Sequence, residues 1–422
     1  MPARTERPAR RKARPARKRI GVALAGGGPL GAIYEIGALC ALQEAIDGLD
    51  FCDCDSYIGV SAGGFIAAGL INGLSPRRLC AAFIENSLEP PESFDPTVLL
   101  RPAWDEYRRR LALLPGLLAA ACWDTVVNGR SITGAFERVG RALPTGLLSG
   151  DSLAAKLHEQ FTLPGRTDDF RELKRRLVLV ATDLDGGEAI PFGMPGWDHV
   201  PISRAVQASA ALPGLFPPVE IDGRHYVDGA LKKTIHASVL LQEGLDLLIC
   251  LNPLVPYEAE SGTRADGAGT ERPKGKPGSR PIPRLVDGGL PVVLSQTLRS
   301  LIHSRLELGM KGYGRSHPNT DIVLFEPDHR DAELFLANTF SYSQRRRMAE
   351  HAYQSTRAKL LAQSPALSAT LAKHGLQLRM DVLLDSERRL LAAELPGEGR
   401  TARALARLDL TLRALEARYR HG

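Results

Sequence analysis

Two short apolar runs near the start of the chain each break into a glycine-rich turn and then into a helical pattern. Ile20–Ala25 (IGVALA) closes on Gly26, Gly27 and Gly28, and Ser56–Val60 (SYIGV) runs into Ser61, Ala62, Gly63 and Gly64. Beyond the first turn, Ile36, Leu39, Leu42 and Ile46 recur at helical spacing over 32–46; Ala62–Ile71 reads as a second helix. Continuous apolar runs of this length, bounded by turn residues, are strands buried on both faces. Parallel neighbours need a crossover connection, so strands alternating with helices restrict the chain to an α/β protein with a largely parallel sheet. Further strands are expected at Leu177–Thr182 (LVLVAT), in a fourth run that His225–Val227 leads out of, at Leu247–Leu251 (LLICL) and at Asp321–Phe325 (DIVLF). Pro291–Gly309 and Ser343–Leu361 read as helical. Near the end, Leu405, Leu408, Leu412, Leu415 and Tyr419 form an apolar stripe. That stripe is expected to pack on the parent domain, with self-association or a membrane face as alternatives.

The 422 residues, 44% hydrophobic and 24% charged, are ample for a core, and they exclude a wholly disordered chain or a small disulfide scaffold. The net charge of +6 is misleading, because residues 1–19 carry nine Lys/Arg against the single acid Glu6. This tail lacks an apolar period and is expected to be disordered. Its charge allows peripheral contact with an anionic membrane; a purely solvated tail is the alternative, and no nucleic-acid partner is expected. Residues 256–284 are dense in Gly, Pro, Ser and charge and read as a flexible linker or loop. The expected organisation is therefore a basic tail (1–19), an α/β domain (20–255), the linker (256–284) and a mostly helical C-terminal region (285–422) packing on that domain. Cys40, Cys52, Cys54, Cys80, Cys122 and Cys250 form no Cys-x-x-Cys pair, so thiols in a reducing compartment are expected rather than disulfides or a metal site. No run of 18 apolar residues is present, and a cytoplasmic protein that touches membrane peripherally is the expectation.

Gly26-Gly27-Gly28-Pro29-Leu30-Gly31 matches G-x-G-x-x-G. Glycines let backbone N–H groups approach an anion, and the helix start behind them adds partial positive charge. Such a loop serves a pyrophosphate or a developing oxyanion equally well, and a tight turn without ligand is the third possibility. Gly59-Val60-Ser61-Ala62-Gly63 is G-x-S-x-G, a nucleophile elbow in which small neighbours allow a sharp strand-to-helix turn. The Ser61 hydroxyl needs a base. His199, His225, His236 and His303 all follow Ser61, but none sits in a motif, and each reads as an ordinary surface or loop histidine. A carboxylate is left. Asp-Gly-[Ala/Gly] occurs at Asp185, Asp228, Asp266 and Asp287. Asp266 lies in the linker and Asp287 just after it, without a strand-to-turn pattern. Asp228, ending HYV and followed by Gly229 and Ala230, is best placed on a rigid strand end.

The Gly-rich loop, the GVSAG elbow and the downstream Asp-Gly-Ala, in that order, resemble the patatin-like phospholipases. ASAALPGLFPPV at 208–219 and VATDLDGGE at 180–188 are similar to segments of the same family, and the resemblance covers about Ile20 to Leu251. It implies a three-layer α/β sandwich, here with a mostly helical C-terminal extension. It implies lipid acyl ester hydrolysis by a Ser61–Asp228 dyad without histidine, with backbone N–H groups of the Gly26–Gly31 loop and of Ala62 holding the oxyanion. No cofactor or metal is implied. Leu111–Trp123 (LALLPGLLAAACW), behind Arg108–Arg110, is then an interfacial lid, an acyl-chain wall or a buried core segment. Two readings compete. A dinucleotide-binding oxidoreductase would use Gly26, Gly28 and Gly31 with Asp50 or Asp53 on the ribose. An inactive membrane-associated scaffold would keep only the fold. Oligomeric state is not legible.

Overall fold

The computed structural model describes residues 18–89, 91–94, 99–126, 139–258, 285–335, 337 and 342–391. In chain order the strands are β1 (Ile20–Leu24), β2 (Ile46–Asp47), β3 (Ser56–Val60), β4 (Arg176–Asp183), β5 (Ala189–Phe192), β6 (Val219–Ile221), β7 (Arg224–Asp228), β8 (Leu247–Leu251), β9 (Asp321–Phe325) and β10 (Gln377–Leu378). The helices are α1 (Gly28–Ala45), α2 (Ala62–Ile71), α3 (Pro76–Cys80), α4 (Trp104–Val126), α5 (Asp151–Phe161), α6 (Ile202–Ser209), α7 (Ser238–Leu241), α8 (Gly289–Ser316), α9 (Ala332–Phe335), α10 (Tyr342–Ala362), α11 (Ser364–Ala372) and α12 (Met380–Leu384).

The main sheet runs β6-β7-β4-β3-β1-β8-β9, with β5 also on β4. β4, β3, β1, β8 and β9 are mutually parallel, whereas β5 and β7 pair antiparallel with β4. Alternate residues of each strand face opposite sides. Val22, Leu24, Tyr57, Leu179 and Ile249 enter a core with α1, α2, α6 and α10. Ala23, Ile58, Val60, Val180 and Leu248 enter a second core with α7 and α8. The chain is thus a three-layer α/β sandwich, as the sequence implied.

Its boundaries differ from the sequence reading at three points. Lys18 and Arg19, read as the end of the tail, are tied down: the Arg19 N–H donates to Asp246 Oδ2 at 2.8 Å, and its guanidinium to Glu243 O at 2.5 Å. These bonds lie beside β1 and β8, so Lys18 and Arg19 belong to the folded unit. Tyr257, read as linker, is buried, and its N–H donates to Gln296 Oε1 at 3.0 Å. The C-terminal region is less an extension than a part of the sandwich. β9 continues the sheet in parallel register with β8. α10 lies so close to α1 that a Cβ on Gly37 would stand 2.5 Å from Ala349 O. Tyr353 donates to Glu44 at 2.7 Å and Arg388 to the same carboxylate at 2.8 Å, fastening that layer. The stripe at Leu405–Tyr419, most of the basic tail and the bulk of the linker lie outside the described residues.

α4 settles the reading of Leu111–Trp123. Leu111, Leu113, Leu118 and Trp123 are exposed, as is Trp104, so this is not a core segment. The helix is nonetheless anchored at its start. Glu106 accepts from the Thr145 N–H at 3.1 Å, the Thr145 hydroxyl at 2.8 Å and Arg110 Nε at 2.8 Å. Despite its burial, those donors hold its carboxyl down at about 2. Among the described residues no helix is long and apolar enough to cross a membrane.

Candidate active site

In an open parallel sheet, ligands meet the loops at the carboxyl ends of the strands, where the chain leaves one strand for opposite sides. β1, flanked by β3 and β8, is such a point. Its end carries Gly26–Gly28, and the end of the adjacent β3 carries Ser61.

Ser61 has φ 54 and ψ −122, one of four non-glycine residues with positive φ among those described. Such a conformation costs of order 1–3 kcal/mol and needs surroundings that enforce it. The surroundings here are glycines and one hydroxyl. A Cβ on Gly63 would stand 2.5 Å from the Leu24 carbonyl, and one on Gly59 would collide with Gly64 Cα. The Ser61 N–H donates to Ser209 Oγ at 2.8 Å, and that hydroxyl donates onward to Val180 O at 2.6 Å. Ser209 ends α6 and is fully buried. It was not singled out in the sequence, where nothing but its place in ASAALPG distinguishes it. Its role is to pin the elbow to β4.

Each loop glycine has a separate reason to be there. Gly26 lies against the nucleophile, since a Cβ on it would be 3.0 Å from Ser61 Cβ. Cβ atoms on Gly27 and Gly31 would stand 2.7 and 3.0 Å from Pro253 Cγ, so these two let β8's exit segment pack beneath the loop. Gly28 has φ 59, the left-handed region that favours glycine. Gly28 and Ala62 open α1 and α2, where a backbone N–H has no intrahelical acceptor. Two helix starts therefore follow the ends of the adjacent strands β1 and β3, each carrying partial positive charge.

Asp228 ends β7, registered against Ala181 of β4, which brings it beside the Ser61 elbow of β3. Its N–H donates to Ala211 O at 3.0 Å, and its Oδ1 accepts from the Ala230 N–H at 2.8 Å. Thr182 Oγ1 donates to its carbonyl at 3.2 Å. A Cβ on Gly229 would collide with Val180 O, so only glycine lets the turn press onto β4. Burial pushes the Asp228 carboxyl up to about 6, against the opposing pull of the Ser61 hydroxyl and the Ala230 N–H. Ser61 and Asp228 are 5% and 3% exposed.

The remaining candidates separate from this site. Asp185 sits in the turn after β4, where its N–H donates to Asp183 Oδ1 at 3.1 Å. Asp287 is in a short 3-10 turn before α8, and Asp266 lies outside the described residues. His236 is a correction: it is buried, with φ 52, and its Nε2 is 3.4 Å from Gly229 O. Burial lowers its ring to about 4, so it supports the Asp-Gly-Ala turn as a neutral imidazole. The oxidoreductase reading fails on topology. Asp50 and Asp53 precede the start of β3, at the opposite end of the strands from Gly26–Gly31, and Asp53 pairs with Arg175 at 3.0 Å. Neither reaches a ribose at the loop.

The fold is a three-layer α/β sandwich whose strand ends bring a strained serine turn and a buried carboxyl together. A family model described as patatin-like phospholipase matches residues 22–241. The chain belongs to that family. Among solved structures, VipD from Legionella pneumophila is similar at 16% identity and TM-score 0.37, over 82% of this chain and 67% of that one. The type III effector ExoU is similar at 14% identity and TM-score 0.32, over 82% of this chain and 53% of that one. ExoU in complex with SpcU, from Pseudomonas aeruginosa, is similar at 16% identity and TM-score 0.25, over 86% of this chain and 59% of that one. The chain thus spans roughly half to two thirds of the length of the structures it matches.

Proposed function

We propose that Ser61 Oγ attacks the ester carbonyl of a lipid while Asp228 takes its proton. The observation that carries this is the buried Asp228 carboxyl facing Ser61, with its proton affinity raised to about 6. At the reference value of about 3.9 an aspartate is a weak base. Near 6 it is still ionised at neutral pH yet accepts a proton more readily. The oxyanion of the tetrahedral intermediate would take hydrogen bonds from the loop at Gly27 and Gly28 and from Ala62, each worth about 2.7–4 kcal/mol in such sites. Asp228 would return the proton to the leaving alcohol, and water, deprotonated by the same carboxylate, would release the acid from Ser61.

A fluorophosphonate probe tests this against the scaffold reading. We expect labelling of Ser61, identified by peptide mass spectrometry. Ser209→Ala should label roughly 10–100-fold more slowly, because a nucleophile turn that loses its pin is misplaced by a fraction of an ångström. Absence of labelling in the folded wild-type protein would leave the scaffold. The kcat/KM of a soluble ester should fall on the acid side with an apparent pKa near 6, the pH at which Asp228 gains its proton. A flat profile between pH 5 and 8 would place the base elsewhere.

The basic tail and α4 supply the membrane part of the reading. Nine cationic residues in 1–19 and the exposed Trp104, Leu111, Leu118 and Trp123 suit an anionic interface. Deletion must stop at residue 17, because Lys18 and Arg19 hold β1 and β8 together. The truncated protein should bind anionic vesicles several-fold more weakly at low salt and hydrolyse a soluble ester unchanged. Equal vesicle sedimentation of both forms would remove the tail from the mechanism.

A further inference from the structure

We propose that His303, Glu326 and His329 form a binding site for one divalent transition-metal ion of the zinc class, outside the hydrolytic site. His303 is on α8, and Glu326 and His329 lie just past β9. One ligand atom from each of the three lies within 4.8 Å of the others. His303 Nδ1 stands 3.6 Å from Glu326 Oε1, and the two imidazoles meet edge to face with centroids 4.8 Å apart. Among the described residues, the Nδ1 atoms of His303 and His329 are closed to solvent and without a hydrogen-bond partner.

Buried polar nitrogens are normally satisfied, so two unpartnered ones in a cluster that also holds the Glu326 carboxylate call for a shared partner. A single cation provides it. Two imidazoles and one carboxylate form a donor set that suits zinc, whereas calcium and magnesium prefer oxygen donors throughout. Around a tetrahedral ion the ligand atoms lie about 3.4 Å apart, so side-chain rotations of about an ångström close the site. The outer partners are in place. Asn252 Nδ2 donates to Glu326 Oε1 at 2.7 Å and orients that carboxylate. Glu307 Oε1 lies 3.7 Å from His303 Nε2, the position from which a carboxylate fixes a metal-binding imidazole. Glu258 Oε1, 3.9 Å from His329 Nδ1, is available as the fourth ligand.

The ion would fasten α8 to the segments leaving β8 and β9. It would also stiffen Asn252–Pro253, on which Gly27 and Gly31 rest. Its role is thus structural.

The test uses the full-length protein, untagged, stripped with a chelator and titrated with Zn²⁺ by calorimetry. We expect one ion per chain and a rise in melting temperature with Zn²⁺ that Mg²⁺ does not produce. His303→Ala, Glu326→Gln and His329→Asn should each weaken Zn²⁺ binding by about tenfold or more. His329 is the most exposed of the three, so His329→Asn is the variant that best preserves folding. If the wild type takes up no stoichiometric Zn²⁺, or if His329→Asn and the triple variant bind it as tightly as the wild type, the proposal is overturned.

Discussion

Replacing Ser61 with alanine, or Asp228 with asparagine, is expected to lower ester hydrolysis by about 10⁴-fold or more, the scale seen when one member of a catalytic serine unit is removed. The two variants should lose activity to a similar degree and not additively, because each leaves the other without a task. Their effects on stability should differ. The Asp228 carboxyl titrates near 6 in the folded protein and near 3.9 when unfolded. Between those values the folded protein holds a proton that the unfolded chain has released. Stability therefore falls as pH rises through that window, and stays lower by about 2–3 kcal/mol above it. Asparagine removes the buried charge but keeps the oxygen that accepts from Ala230. Asp228→Asn should thus raise the melting temperature by a few degrees at pH 7.5 and leave it nearly unchanged at pH 4. Thermal melts at both pH values, run beside the kinetics, check this. A less stable Asp228→Asn at pH 7.5 would mean that the carboxylate is compensated by contacts other than those described.

Gly63→Ala should have the second large effect, and on folding rather than chemistry. The added methyl would stand 2.5 Å from the Leu24 carbonyl carbon and oxygen, and 2.6 Å from Ala25 O. These are backbone atoms of the end of β1 and of the residue that follows it, in the centre of the sheet, so they cannot swing aside as a side-chain end would. Overpacking of this kind costs about 1–3 kcal/mol when neighbours can shift, and more when they cannot. We expect a loss of at least about 3 kcal/mol, read by urea denaturation, with most of the protein insoluble at 37 °C. Gly64→Ala is the control. Its methyl would meet nothing closer than 3.4 Å, from Leu179 Cδ2, and it should fold. Equal stability of the two variants would show that the β1–α2 approach is looser than described.

Ser61 and Asp228 were legible because each is announced locally, one by glycines that only a tight elbow needs, the other by a strand end followed by Asp-Gly-Ala. Ser209 was not. It is a serine among alanines, and its value arises only where the end of α6 meets both the elbow and β4, a meeting that no local pattern encodes. His236 was misread for a related reason. Histidine is met both at surfaces and in cores, and its burial follows from α7 and α8 closing over the Asp-Gly-Ala turn. DIVLF is plainly a strand, yet its place beside β8 depends on sheet order, which no local pattern gives. Leu111–Trp123 shows the opposite limit. Its apolar content suited a core as well as a surface, and only the tertiary arrangement leaves those leucines facing solvent.

The position of β1 has a consequence for biosynthesis. Of the strands described, it is made before all others, yet it lies inside the sheet, between β3 and β8. One edge is covered as soon as Ser56–Val60 emerges. The other waits for Leu247–Leu251, with which Ile20–Leu24 registers. At about 5–20 residues per second, ribosomal elongation leaves that edge open for roughly 10–40 s. For this time the nascent chain displays an apolar strand with unpaired backbone groups, the template on which aggregation begins. Yield in a recombinant host should therefore respond to translation rate and to nascent-chain chaperones more strongly than the stability of the finished protein would suggest.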